Sequence, residues 1–312
     1  MRALVSGATG FLGNLLVLEL RRLKWEVLCL VRKPVCAGDG GIRTVEVDLL
    51  HPDFPGGDAA GLGKVDAVFH LAAQLPDASV TDDAVYFRTN ALGTARMLHL
   101  ADELKASSFV YVSSIGLIGK PERLPVTEAH PVHIRHPYFG GKFAGELFCE
   151  MARKSEKRKI VSLRIASPYG PGMAPATVLP YFVGRALGSE DLLWFGSGQR
   201  TQNFIHSSDV VRACLFAAQT GQPGIYNVGG DRSINMRELA SLIVELCPGC
   251  RSAVRAAGKP DPQEDERWEL DLSRAKTGLG YSPAVPLREG LGDFIAFTRS
   301  KASARRWWRA DS

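Results

Sequence analysis

Tyr138 and Lys142 stand four residues apart in the stretch His136-Pro137-Tyr138-Phe139-Gly140-Gly141-Lys142. On a helix that spacing puts a phenol and an ammonium on one face. A positive charge beside a phenol favours its ionised form and lowers its pKa toward a range useful for proton exchange. The pair alone is common, and its meaning comes from what precedes it. A glycine-rich opening, a His-x-Ala-Ala run and a segment ending in Ser-Ser come before it, in that order.

Such chemistry has to be positioned, and the elements that do so are legible in the hydrophobic pattern. Short apolar runs predict strands at 3–6, 27–31, 44–47, 67–71, 109–113 and 160–165. Amphipathic stretches predict helices at about 12–23, 83–104 and 137–154. Strands that are apolar on both faces and alternate with helices imply a parallel sheet covered on two sides. Beyond Ser167 the rhythm breaks at Pro168, Pro171, Pro175 and Pro180, which argues for loops and a second lobe. A strand at 225–228 is expected to return to the main sheet, with helices at 236–246 and 287–298 completing the lobe.

Gly7, Gly10 and Gly13 sit between the first strand and the first helix. Glycine is needed where a turn is tight and where backbone must approach a pyrophosphate, and the helix N-terminus beyond offers free N–H groups. In a first strand–helix junction these glycines point to a dinucleotide. The fold class expected is α/β, a Rossmann-type doubly wound parallel sheet with a smaller C-terminal α/β substrate lobe. Residues 1–166 are assigned to the dinucleotide-binding domain, with a returning segment near 203–230, and 167–312 mainly to the substrate lobe.

With these motifs in order, the chain resembles an extended short-chain dehydrogenase/reductase of the NAD-dependent epimerase/dehydratase type, over nearly its whole length. The resemblance implies a cofactor site of Gly7, Thr9, Gly10, Phe11, Leu12 and Gly13 in the opening loop. Asp48 and Leu49 resemble the pair that contacts adenine. His70-Leu71-Ala72-Ala73 resembles the run whose small residues, with Leu71, pass close to the cofactor. Asn90-Ala91-Leu92-Gly93-Thr94 matches the family's Asn-x-x-Gly-Thr, and Ala166 closes the sixth strand. Where NAD-binding members place an acid after the second strand, this chain has Val31, then Arg32 and Lys33. An acid there would repel a 2′-phosphate and Arg32 can pair with one, so NADP(H) is favoured and NAD(H) is the alternative. The plain alternative for Arg32 and Lys33 is solvated surface charge.

The resemblance makes Tyr138 the acid/base, Lys142 its tuner and the ribose ligand, and Ser114 the holder of the substrate oxygen, with Ser113 as the fallback. Members that dehydrate a sugar carry an Asp-Glu pair just after this Ser or Thr, where Ile115 and Gly116 stand here. Apolar residues supply neither an acid nor a base, which disfavours dehydration. There is no Gly-x-Ser-x-Gly for a hydrolase, and His130, His133 and His136 lie in a loop expected at the pocket rim.

Arg164 to Gly172 resembles Arg-x-x-Asn-x-Tyr-Gly-Pro-Gly, with Ser167 in place of the Asn that contacts substrate. Around 196–206 the basic residue has moved: Arg200 stands where Gln is usual, and Gln202 where the phosphate-gripping Arg is usual. Ser167, Arg200 and Lys259 are the expected substrate contacts, the two cations serving a diphosphate. The reading is NADPH-dependent reduction of a keto group on a nucleotide-linked 4-keto sugar. The alternative is an NAD-dependent nucleotide-sugar 4-epimerase, and a third reading is a non-catalytic dinucleotide sensor.

Composition sets bounds on all this. The 312 residues are 45% apolar and 23% charged with a net charge of +5, an ordinary globular balance that suits an anionic substrate. No apolar run reaches the roughly 20 residues needed to span a bilayer, so a soluble, cytoplasmic protein is expected, with no membrane or nucleic-acid partner and no metal. The basic tail 301–309 reads as a frayed or docked terminus. Pairing of two copies through the helices at 83–104 and 137–154 is an expectation from the resemblance. Of six cysteines, Cys29 and Cys214 read as core thiols. Cys247-Pro248-Gly249-Cys250 has no second ligand pair nearby, so a zinc site is not expected, and a redox role still less.

Overall fold

A computed structural model describes residues 1–33, 35, 41–54, 61–155, 158–175 and 177–300. The basic tail lies outside the described residues. Seven parallel strands form the main sheet: β1 (Arg2–Ser6), β2 (Glu26–Val31), β3 (Ile42–Glu46), β4 (Ala67–His70), β5 (Ser108–Ser114), β6 (Lys159–Ile165) and β10 (Gly224–Val228). Their order is β10-β6-β5-β4-β1-β2-β3. The chain winds outward from β1 in one direction, then returns beside it through β4. Ligands of such sheets sit outside the carboxyl ends of the strands at this reversal.

Alternation along the strands builds two cores. Val5, Val27, Cys29, Phe69, Val110 and Val112 face one side with helices α1 (Phe11–Arg22) and α6 (Ser207–Gln219). Leu4, Leu28, Val68, Phe109 and Tyr111 face the other, under α3 (Gly93–Glu103) and α4 (Pro137–Ser155). A side-chain period of two on a doubly covered sheet dictates this division.

The predicted helix at 83–104 is not continuous. It comprises α2 (Ala84–Phe87), a π-helical turn over Arg88–Leu92 and then α3. The wide turn lies where α4 packs closely, and glycines on α4 permit the approach. A Cβ on Gly141 would stand 2.5 Å from the Tyr86 carbonyl oxygen, and one on Gly145 would stand 3.0 Å from that of Asn90.

The remaining elements are β7 (Ser167–Tyr169), α5 (Val178–Leu187), β8 (Leu192–Trp194), β9 (Thr201–His206), β11 (Ser233–Asn235), α7 (Met236–Leu246), β12 (Val254–Ala256), α8 (Ser273–Leu279) and α9 (Leu287–Ser300). β11, β9 and β7 form a small sheet, and β12 pairs with β8. Leu179, Phe182, Leu239, Ile243, Leu291 and Phe294 form the core shared by α5, α7 and α9. Asn235 caps α7 by accepting the Glu238 N–H at 2.8 Å. The buried Asp209 of α6 accepts the N–H groups of Ala284 (3.0 Å) and Val285 (3.0 Å), tying the segment before α9 to the main body.

Candidate active site

The glycine loop is tight enough to require its sequence. Gly7 has φ +71, and a Cβ on it would lie 2.6 Å from the backbone nitrogen of Ala72. A Cβ on Gly13 would overlap the Gly7 carbonyl oxygen. Gly10, at the N-cap of α1, provides no side-chain cap, so the first N–H groups of the helix face outward with its positive dipole end. The glycines let the loop pack against Ala72 and the start of α1 where a side chain would meet backbone, and the uncapped N-terminus of α1 beside it could hold a pyrophosphate. Thr9, Phe11 and Leu12 lie in this loop and the first turn of α1. Leu71, Ala72 and Ala73 run past it as partly exposed chain.

His70 braces this junction from within. It is fully buried, with Nδ1 2.6 Å from Ser6 Oγ and Nε2 3.0 Å from Thr94 Oγ1. Thr94 donates its hydroxyl to the Asn90 carbonyl at 2.7 Å, so Nε2 must carry the proton and Nδ1 accepts from Ser6. Burial, with the Lys142 charge adding to it, pulls the His70 pKa down to about 3 and keeps the ring neutral. Asn90, in the π turn, is also buried. Its amide accepts the Gln74 N–H at 2.8 Å and donates to the Gln74 carbonyl at 3.1 Å, holding the chain beyond β4 in place. Asp48 closes a turn by accepting the Leu50 N–H at 2.9 Å. Leu49 is buried against Gly93. Ala166 donates its N–H to Val228 at 2.8 Å. Arg32 and Lys33 are exposed at the end of β2.

Ser114 ends β5, and its Oγ accepts the Gly116 N–H at 3.2 Å. Ser113, the alternative, is buried. Tyr138 is in the first turn of α4, its N–H donating to His136 Nδ1 at 3.1 Å and its ring edge-on to Tyr86 at 6.5 Å. Lys142 does share the helix, but it reaches beneath it. Its Nζ donates to the Val112 carbonyl at 2.8 Å and lies 5.0 Å from the centre of the Tyr111 ring. Burial pulls Lys142 down to about 8, opposed by Glu146. Burial likewise pushes the Tyr138 phenol up to about 12. The expected lowering of the phenol by its neighbour is therefore corrected: desolvation outweighs the ammonium, whose contacts are a carbonyl and a ring face.

Phe139 carries information that motif matching missed. Its ring covers Gly116, and a Cβ on Gly116 would stand 2.5 Å from Phe139 Cζ. Phe139 and Trp268 pack on the cluster of Ile115, Leu117, Ile118 and Val126. Beyond it, Arg135 reaches the buried Glu266 at 2.7 Å. Of the histidines expected at the rim, His130 is buried, accepting the Glu122 N–H at 3.0 Å, and His133 pairs with Glu122 at 2.6 Å.

Among the substrate candidates, Ser167 Oγ accepts from Gln202 Nε2. Arg200 is not an unengaged cation: its Nε lies 2.9 Å from Asp261 Oδ2. Lys259 is exposed, its carbonyl accepting the Gly196 N–H at 2.8 Å. Arg164, the first residue of its motif, points into the protein and not into the cleft, and binds Glu146 with both side chains buried. Lys142 and Glu146 are themselves four apart, a pattern available in the sequence.

Residues 3–229 match the NAD dependent epimerase/dehydratase family. The chain belongs to that family. It is an enzyme of the extended short-chain dehydrogenase/reductase type, as the resemblance implied. Among relatives, the UDP-glucose 4-epimerase of Mycolicibacterium smegmatis is 31% identical, over 97% of this chain and 100% of its own. The dTDP-glucose 4,6-dehydratase of Streptomyces niveus is 29% identical, over 99% and 95%. The UDP-glucose 4-epimerase of Thermotoga maritima, solved with UDP-glucose, has a TM-score of 0.85 at 27% identity, over 96% of this chain and 99% of that one. MoeE5 in complex with UDP-glucose and NAD has a TM-score of 0.82 at 29% identity, over 97% and 100%. Among the described residues, no helix is long and apolar enough to cross a membrane.

Proposed function

We propose that this family member is an NAD-dependent 4-epimerase of a nucleoside-diphosphate sugar. The observation that carries this reading is the Phe139 ring packed against Gly116, with Ile115 beside it. The neighbouring-carbon acid and base that a dehydration needs have neither the residues nor the room. Relatives named as 4-epimerases, and a neighbour solved with NAD, support this alternative over the keto-reductase reading drawn from sequence.

A nicotinamide dinucleotide supplies hydride acceptance and return at the sugar carbon. The chain's own residues do the rest. The Gly7–Gly13 loop and the N-terminus of α1 hold the pyrophosphate, and Leu71, Ala72 and Ala73 border it. Ser114 holds the sugar oxygen by a hydrogen bond, and Tyr138 takes and returns its proton. Only the phenolate can take that proton, and burial that pushes the phenol up to about 12 keeps it protonated. Lys142 therefore has to exchange the Val112 carbonyl for a position nearer the phenol and the ribose, where its charge favours the phenolate. Ser167, Gln202 and Arg200 face the diphosphate side, Arg200 sharing its guanidinium with Asp261. The segment beyond Ser167 makes most of the substrate lobe, apart from α6, β10 and α8, which pack with the main sheet. Phe87 (47% exposed), Leu147 (49%) and Met151 (66%) leave an apolar strip on α2 and α4, which suits pairing of two copies.

Arg32 keeps one rival in view, because an exposed cation at the end of β2 suits the 2′-phosphate of NADP. The test is to denature the purified protein, identify any released dinucleotide, and assay UDP-glucose and UDP-galactose for interconversion without added cofactor. Interconversion with NAD present supports the epimerase. Consumption of added NADPH with a keto-sugar nucleotide, and no interconversion, overturns it.

A further inference from the structure

Cys247-Pro248-Gly249-Cys250 closes α7, and its tertiary setting supplies what its spacing alone did not. The Cys250 N–H donates to the Cys247 carbonyl at 3.1 Å, and Gly249 has φ +76. Proline then glycine at the two central positions, with positive φ at the second, describes a type II turn. The ends of such a turn lie within about 7 Å, and a disulfide joins Cα atoms about 4.4–6.8 Å apart. The turn projects outward: Pro248 and Gly249 are exposed, and nothing lies within 4 Å of a Cβ built on Gly249.

Two further features converge on the sulfurs. Arg299, in the last turn of α9, donates through Nη2 to the Pro248 carbonyl at 3.0 Å and to Cys247 Sγ at 3.7 Å. A cavity of about 280 Å³ opens beside the turn, lined by both cysteines, Arg299, Thr298 and Ser189. By contrast, Cys29, Cys149 and Cys214 are buried in the two faces of the main sheet. Among the described residues no group of three or more metal-ligating side chains forms.

We propose that Cys247 and Cys250 are a reversible thiol–disulfide exchange site whose co-reactant is a small anionic disulfide such as oxidised glutathione. Cys250, the half-exposed sulfur, attacks first as the thiolate. It breaks the reagent S–S bond, forms a mixed disulfide and releases one reagent thiolate. Cys247, buried behind it, then loses its proton and attacks Cys250 Sγ. That closes the protein disulfide and releases the second reagent thiolate. The protein dithiol loses two electrons and two protons, and the reagent disulfide gains the two electrons. Arg299 supplies the charge that receives the carboxylates of the reagent and steadies the Cys247 thiolate as it forms.

The test treats the native full chain with oxidised glutathione, alkylates the remaining thiols, and maps the tryptic peptide running from Glu238 to Arg251. The expected result is loss of two hydrogens within that peptide, reversed by excess reduced glutathione, while Cys29, Cys149 and Cys214 remain alkylatable only after unfolding. In C247S, Cys250 retains a stable glutathione adduct; in C250S, Cys247 gains little. R299Q slows closure at least several-fold without unfolding the protein, as circular dichroism checks. A native protein whose peptide stays a dithiol, or an adduct that accumulates on Cys247 in C250S faster than on Cys250 in C247S, overturns the proposal.

Discussion

Glu146 and Arg164 face each other across the junction of α4 and β6, both side chains buried, with Nη2 2.8 Å from Oε2 and Nε 3.0 Å from Oε1. Arg164 also donates to the Glu128 carbonyl at 3.1 Å, and Glu128 accepts the Asn227 N–H at 2.7 Å. One helix, two strands and the loop before α4 are thus joined through one buried network. A buried pair adds little over an apolar replacement, but removing one partner strands the other charge. Glu146→Ala is expected to cost about 3–5 kcal/mol on that ground. Urea denaturation measures it, and a loss below about 1 kcal/mol, the size of a surface pair, would refute the assignment.

Gly13→Ala is expected to abolish dinucleotide binding, because the new methyl overlaps the Gly7 carbonyl oxygen where the loop must hold its shape. A ligand that binds only the native state raises the melting temperature. The variant should therefore lose the shift that NAD or NADP gives the parent. An undiminished shift would mean that the dinucleotide binds elsewhere.

Tyr138→Phe removes the proton carrier and leaves the glycine loop untouched. Turnover should fall by about 10²–10⁴-fold, the usual size of general acid–base assistance, while the dinucleotide-induced thermal shift persists. Activity within a few-fold of the parent would discard Tyr138 as the acid/base.

Gly116→Ala overpacks the Phe139 ring, with an expected cost of about 1–3 kcal/mol. Shortening the ring should relieve it, so Gly116→Ala with Phe139→Leu is expected to be more stable than the sum of the two single changes predicts. Strict additivity in a double-mutant cycle would show that the two do not press on each other.

His70 makes stability depend on acidity. Its native pKa, near 3, lies below the ordinary 6.5, so between these values the unfolded chain binds a proton that the folded one does not. Stability is therefore complete above about 6.5 and declines as pH falls toward 3, with a slope of up to about 1.4 kcal/mol per pH unit. Replacing His70 by Gln should flatten the curve of unfolding free energy in that window. An unchanged slope would place the acid sensitivity in other groups.

The strands and helices of the main sheet were legible because their signals are local. Apolar runs bounded by turn residues located β1, β2, β4, β5, β6 and β10 within a residue or two, and the helix at 236–246 coincides with α7. The π turn at Arg88–Leu92 was not legible, since nothing local distinguishes it from α-helix; the close approach of the α4 glycines accompanies it. Gly7, Gly10 and Gly13 announced themselves through backbone geometry, which residue type alone dictates. The direction of the Tyr138 pKa did not. Spacing shows which side chains share a face, whereas desolvation depends on everything packed around them.

By itself the chain determined the order of its elements, the glycine cradle and the presence of Ser114, Tyr138 and Lys142, because each depends on residue type and short-range spacing. Only the tertiary structure decided which groups those residues meet. It sent Lys142 to the Val112 carbonyl, Arg200 to Asp261 and Arg164 to Glu146, and it laid Phe139 over Gly116. A long cationic side chain has many acceptors within reach, and the one it takes is set by burial and by contacts far apart in sequence.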